Sequence, residues 1–195
     1  MEQVASQAGF SKRTVYLYFK NKDELFITVA EQGLVILRER LEAVGVDDLS
    51  VQEGIRSILD TYLWFAREHP SYFRIIFQEP TPQMMANISE KLRRRVEEHE
   101  QACLGVVVRV TQKALAQGLI SEADPMEIAG IFWGAVTGIV QLSMGGSQSV
   151  FTRRTREQLS QKAVWLLFEG MLKNGGGQGG GRAKKNAIRR GRLKP

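Results

Sequence analysis

The first 26 residues, MEQVASQAGFSKRTVYLYFKNKDELF, set two short helical segments on either side of a very tight turn, and this constrains the fold more than any other feature of the chain. Val4, Ala5 and Ala8 follow the spacing of a short amphipathic helix, and Gly9 stands where a helix end needs a left-handed residue. Ser11 then offers an N-cap hydroxyl, and Val15 and Phe19, one helical turn apart, face one buried side of a second helix. Gly9, Phe10 and Ser11 are all that lies between, which is the turn of a helix-turn-helix unit. The outer side of the second helix shows Lys12, Arg13, Thr14, Leu17 and Tyr18, flanked by Tyr16. Cations, hydroxyls and aromatic rings of this kind suit phosphates and base edges.

Everything after this unit reads as helix, with no period-two stretch long enough for a strand, so the chain is expected to be all-α. Lys22 to about Val44 forms one long helix, roughly 35 Å at 1.5 Å per residue, linking the head to the rest. Ser50 and Glu53 make a capping box that opens a central helix running to Glu68, and Pro70 starts a short helix ending near Gln78. After Pro80 and Pro82 a single long helix is predicted to reach about Gln117, with Met85, Ile88, Leu92, Val96, Cys103, Val107, Val110 and Ala114 inward and Gly118 as its terminator. Asp124-Pro125 opens a helix to about Met144, and a last helix runs from Arg153 to Lys173. Three regions result: residues 1–44 as a helix-turn-helix head suited to DNA with its connecting helix, 45–173 as a helical body, and 174–195 as a disordered tail.

At 195 residues, 43% apolar and 25% charged, the chain can bury a sizeable core. Its net charge of +6 is a property of the tail: Arg182, Lys184, Lys185, Arg189, Arg190, Arg192 and Lys194 follow the glycine-rich GGGQGGG, and removing these seven leaves the remainder at −1. The tail has too little apolar content to fold and could serve as a salt-sensitive nucleic-acid arm. A lone Cys103 and the lack of a secretory signal fit a reducing cytoplasm. His69 and His99 have no Cys, Asp or Glu at metal-ligand spacing, GGSQS lacks the last glycine of a nucleophile elbow, and no glycine loop cradles phosphate. No catalytic residue, metal site or cofactor is expected. The Asn87-Ile88-Ser89 sequon is read as chance.

The head resembles the signature of the TetR family of bacterial repressors, approximately A-x-x-A-G-x-S-x-x-T-x-Y-x-[YH]-F-x-x-K-x-x-L. The matching residues are Ala5, Ala8, Gly9, Ser11, Thr14, Tyr16, Tyr18, Phe19, Lys22 and Leu25. The resemblance implies that Thr14, Tyr16, Tyr18 and Lys22 touch the backbone of double-stranded operator DNA, and that Lys12, Arg13 and Leu17 read bases. It further implies a helix before the first of these two, which MEQ is too short to hold, so a start assigned too late or a cut chain is expected. A second reading follows from that gap: a dimeric ligand-binding or interaction module that has lost DNA binding.

The resemblance also implies a homodimer paired through the last two helices as a four-helix interface. Gly130, Gly134 and Gly138 form a stripe that allows close packing, and Leu159, Ala163, Leu166 and Gly170 lie on the facing stripe of the last helix. The apolar run from Ile128 to Val140 is judged too short to cross a bilayer. A small apolar or aromatic effector is expected among the central helices, where Leu59, Tyr62, Leu63, Phe77, Met85, His99, Cys103 and Trp133 bring aromatic, thioether and a few polar groups. The expected activity is that of a ligand-responsive repressor, not of an enzyme.

Overall fold

A computed structural model describes residues 1–78, 80–120, 124–144 and 156–171, with the side chains at 143–144, 156–157 and 168–171 left aside. The described residues form helices joined by turns. In chain order they are α1 (Glu2–Gln7), α2 (Lys12–Tyr18), α3 (Lys22–Glu42), α4 (Val51–Glu68), α5 (Pro70–Ile76), α6 (Pro82–Ala86), α7 (Glu90–Ala116), α8 (Pro125–Met144) and α9 (Arg156–Met171). The expected tail at 174–195 and the residues at 121–123, 145–155 and 172–173 lie outside the described residues.

The punctuation follows local chemistry. Gly9 takes a φ of 71° at the end of α1, with its own N–H on Ser6 O and the Phe10 N–H on Ala5 O, closing a Schellman turn. Gly118 ends α7 in the same manner. Ser11 Oγ accepts from Thr14 N at 3.0 Å, Asn21 caps α3 through Glu24 N at 2.7 Å, and Ser50 with Glu53 completes its capping box. Asp124 Oδ1 accepts from Met126 N ahead of α8.

One expected element is divided. Residues 82–116 are not a single helix: α6 stops at Ala86, and α7 begins after Ser89, whose hydroxyl accepts from Leu92 N at 3.3 Å. A serine cap offers the backbone an alternative to continuing the helix, and Ile88 uses the break to reach a buried position.

Two apolar clusters organise the body. The larger joins α3, α4, α5, α7, α8 and α9 around Leu37, Leu41, Phe65, Phe73, Val106 and Val140. The smaller, with Ile27, Leu34, Ile88, Leu92 and Val96, packs the N-terminal end of α7 against the connecting helix α3. Pro125–Leu142 is apolar enough by length and composition to cross a membrane, beyond the uninterrupted run counted from the sequence. In the fold, however, Ile128, Ala129, Val136 and Val140 are buried in the core, and Thr137 and Gln141 hydrogen-bond to Tyr62 and to Phe77 O.

Candidate DNA-reading head and ligand cavity

The head presents one face of α2. Val15 is buried beneath it and Phe19 half-buried, while Lys12, Arg13 and Tyr16 are exposed and Leu17 and Tyr18 stand out at 76% and 77% of their full accessible surface. Rings and apolar side chains this open gain nothing from the fold itself. Thr14 and Ser11 share a 2.8 Å hydroxyl contact at the start of α2, so Ser11 is engaged as a cap. Lys12 Nζ pairs with Glu2 at 2.5 Å, which holds the Glu2 carboxyl below its ordinary range through that hydrogen bond and charge. Lys22 is exposed at the first position of α3, where free backbone N–H groups favour a phosphate. Ser11, Lys12, Arg13, Thr14, Tyr16, Leu17, Tyr18 and Lys22 therefore share one end of the molecule. Val4, Ala8 and Phe10 are also exposed there.

The head is tied to the body by contacts that no local sequence pattern reveals. Asn21 Nδ2 donates to Asn87 O at 2.9 Å, and Asn87 Nδ2 donates to Asp23 Oδ2 at 2.7 Å, so the α6–α7 break holds the start of α3. Further along, the Arg95 guanidinium takes both oxygens of Glu31, at 2.5 and 2.9 Å. Glu31 is a charged residue only 5% exposed, and His99 Nε2 lies 3.9 Å from the same carboxylate. On another side of α3, a Cβ at Gly33 would stand 2.8 Å from Ile76 Cδ1 and 2.9 Å from Tyr72 Cβ, so α5 packs directly on the α3 backbone.

At the other end of α7 lies an apolar cavity that is open to solvent, with roughly 670 Å3 of empty space when the open solvent at its mouth is included. Its walls are Ile55, Ile58, Leu59 and Tyr62 of α4, Val107, Val110, Thr111 and Ala114 of α7, and Ile128, Phe132, Trp133 and Val136 of α8, closed by Ile120 and Val164. Of the residues expected at a pocket, Leu59, Tyr62 and Trp133 line it. Leu63 and Cys103 are buried in the adjoining core, and Phe77 stacks behind Tyr62 and Trp133. Met85 and His99 do not reach it: Met85 packs on the small cluster near the head, and His99 sits beside Glu31. Helical periodicity places them on the inward face of α7 or its approach, but it says nothing of height along a helix of about 40 Å. Burial pushes the Cys103 thiol up to about 12, leaving it an inert core group.

The glycine stripe faces outward. Among the described residues a Cβ at Gly130, Gly134 or Gly138 would meet nothing within 4 Å, so the close packing expected of the stripe is not made with any of them. Around it Met126, Ile131 and Leu142 are exposed, as are Trp165 and Leu166 of α9. Leu159 and Ala163 are half-buried on α9, and Gly170 falls in the last turn of α9, outside the residues whose surroundings are described.

The arrangement of head, connector and body coincides with two family models. One described as "Bacterial regulatory proteins, tetR family" matches residues 1–29, and one described as "Tetracyclin repressor-like, C-terminal domain" matches residues 55–164, more than half of the chain. The chain belongs to the TetR family. Among TetR relatives, the uncharacterized HTH-type transcriptional regulator YhgD of Bacillus subtilis is 26% identical over 125 residues, covering 64% of this chain and 63% of that protein. The chain thus spans under two thirds of that curated relative's length. Two solved structures resemble it in shape. The Bacillus subtilis regulator FadR, solved with stearoyl-CoA, has a TM-score of 0.66 at 20% identity, covering 87% of each chain. AibR, solved with isovaleryl coenzyme A and operator DNA, has a TM-score of 0.65 at 22% identity, covering 86% of this chain and 85% of that one. At such identities the likeness is one of fold.

Proposed function

We propose that this chain is a ligand-responsive, DNA-binding transcriptional regulator, acting as a cytoplasmic homodimeric repressor that a small apolar molecule releases from its operator. The observation that carries the reading is the placement of two unlike surfaces at opposite ends of shared helices. An exposed face of cations, hydroxyls and rings on α2 and Lys22 sits at one end of α3, and α7, clamped to α3, supplies a wall of the apolar cavity at its other end. The face suits phosphates and base edges, and the cavity suits a ligand without charge. A ligand that fits one spacing of the two heads better than another shifts the population between them. The open glycine stripe, with Ile131, Leu142, Trp165 and Leu166, suits a second copy of the chain, which twofold operators require. FadR and AibR, with acyl-CoA molecules in their solved complexes, suggest the first compounds to try.

The test is selection of duplex DNA from a random pool by the dimer, followed by fluorescence anisotropy with the enriched duplex in the presence of isovaleryl-CoA, stearoyl-CoA or a flavonoid. A twofold-symmetric site should emerge, and at least one compound should raise both the melting temperature and the operator Kd. Compounds that stabilise the chain while no sequence is enriched would point instead to a ligand-binding module without a working reader.

A further inference from the structure

Among the described residues the cavity walls carry fourteen side chains and no charge; two of them bear a hydroxyl and Trp133 adds an indole N–H. Thr111 is spent locally, its hydroxyl donating to Val107 O at 3.1 Å within α7. Tyr62 is different. Its ring lines the cavity, boxed edge-on by Trp133 at 5.0 Å and Phe77 at 5.9 Å between centroids, and its hydroxyl meets Thr137 Oγ1 across the α4–α8 contact at 2.5 Å. The two hydroxyls hold two protons and make one hydrogen bond between them, and neither has another partner among the described residues. One O–H is therefore left to donate, and lone pairs remain to accept. Burial raises the tyrosine's pKa far above its ordinary value, so it stays a neutral hydroxyl at any physiological pH.

We propose that the Tyr62 hydroxyl, on the cavity wall and met there by Thr137, determines specificity in this cavity, selecting effectors that carry one uncharged oxygen on an apolar skeleton and turning away ionised carboxylates. The proposal rests on the reading of the cavity as an effector site and deepens it. A ketone, ester, thioester or alcohol oxygen satisfies the spare proton without bringing charge into the walls. A carboxylate would find no cation among the described wall residues and at most one hydroxyl and one indole N–H to replace its hydration, a loss that an apolar cavity does not offset. For an acyl thioester, the acyl chain and its carbonyl enter and the charged portion stays outside. Thr137 is the partner of the Tyr62 hydroxyl in the free cavity and is not itself part of the cavity wall, so the ligand's oxygen can take over that role.

The experiment compares 2-dodecanone with dodecanoate at pH 8 on the full dimeric chain, by titration of tryptophan fluorescence and by the shift in melting temperature. The wild type should bind the ketone at least tenfold more tightly than the carboxylate. Tyr62→Phe keeps the ring and removes the oxygen, and should weaken the ketone about fivefold while leaving the carboxylate almost unchanged. Thr137→Val leaves the tyrosine hydroxyl with the ligand as its one partner, so ketone binding should persist within about twofold; this variant carries the test if Tyr62→Phe folds poorly. Equal binding of both compounds to the wild type, or an equal fall for the ketone in both variants, would overturn the proposal. Binding of neither compound overturns it together with the effector reading, whereas binding without discrimination overturns the proposal alone.

Discussion

Replacing Arg95 by methionine isolates the strongest link between the connecting helix and the body. The change keeps most of the aliphatic stem and removes both hydrogen bonds that Glu31 receives, leaving a carboxylate with 6% side-chain exposure and only His99, 3.9 Å away, beside it. Breaking a fully buried pair by deleting one partner costs about 3–5 kcal/mol. Here 42% of the Arg95 side chain is exposed, so water reaches the pair from that side and the expected cost falls to about 1–3 kcal/mol. For a chain of this length, that corresponds to a fall in Tm of roughly 3–10 °C. The double variant Glu31→Leu with Arg95→Met removes the stranded charge along with its partner, and should recover most of the loss. Thermal unfolding of the wild type, the two single variants and the double variant, followed by circular dichroism, gives the coupling directly. Single costs that simply add in the double variant, or an Arg95→Met change within about 0.5 kcal/mol of the wild type, would refute the picture of a buried carboxylate dependent on one guanidinium.

Gly33→Ala places a methyl group within 3 Å of Ile76 and Tyr72, so it should cost about 1–3 kcal/mol in urea unfolding and push α5 away from the connector. The raised Cys103 pKa makes stability fall as pH climbs above 9, because the unfolded chain releases that proton while the folded chain keeps it. Urea melts should show about 1.4 kcal/mol less stability from this group at pH 10 than at pH 8, a difference that Cys103→Ala removes. Gly134→Leu meets open space among the described residues, so it should leave the monomer's helical content intact while abolishing the dimer in light scattering; an unchanged dimer would show that this face is not the interface. Lys22→Ala should weaken DNA binding on all sequences alike and, in a salt titration, make the slope of log K against log salt shallower by about one for each phosphate that the lysine neutralises.

The parts of the fold legible in the sequence are those decided within a few residues. Ser50 with Glu53, Asp124-Pro125, Gly9 and Gly118 each mark a helix end by a chemistry that works locally, and each end stands where that chemistry places it. The break at 87–89 leaves little trace in the sequence because inward residues continue across it at helical spacing, and only Ser89 hints at a new start. The inward faces of α4 and α8 brought Leu59, Tyr62 and Trp133 to the cavity wall, whereas most of that wall comes from small and branched residues such as Val110, Ala114 and Val136, which look like any core. Glu31 and Arg95 are 64 positions apart and the Asn21–Asn87 bond spans 66, so their pairing depends on how α7 lies on α3. No periodicity encodes that.

The same pairing explains how a cavity far from the head could govern it. Arg95 and Val110 lie on one helix, separated by about 22 Å at 1.5 Å per residue, with the clamp to α3 near one and the cavity wall at the other. A continuous helix packed into both clusters transmits displacement along its length, so a ligand that displaces the cavity end shifts or strains the clamped end. The energy required is small. A tenfold change in operator affinity needs about 1.4 kcal/mol of difference between the two states, the size of one well-formed hydrogen bond such as those at Asn87. What the mechanism cannot tolerate is slack: if α3 could slide on α7, the displacement would dissipate before reaching α2. The bidentate Glu31–Arg95 contact, the Asn21–Asn87–Asp23 bonds and the side chains pressed against Gly33 hold α3 at three places on different sides. Loosening any one of them should therefore weaken the response to ligand before it weakens the binding of either ligand or DNA.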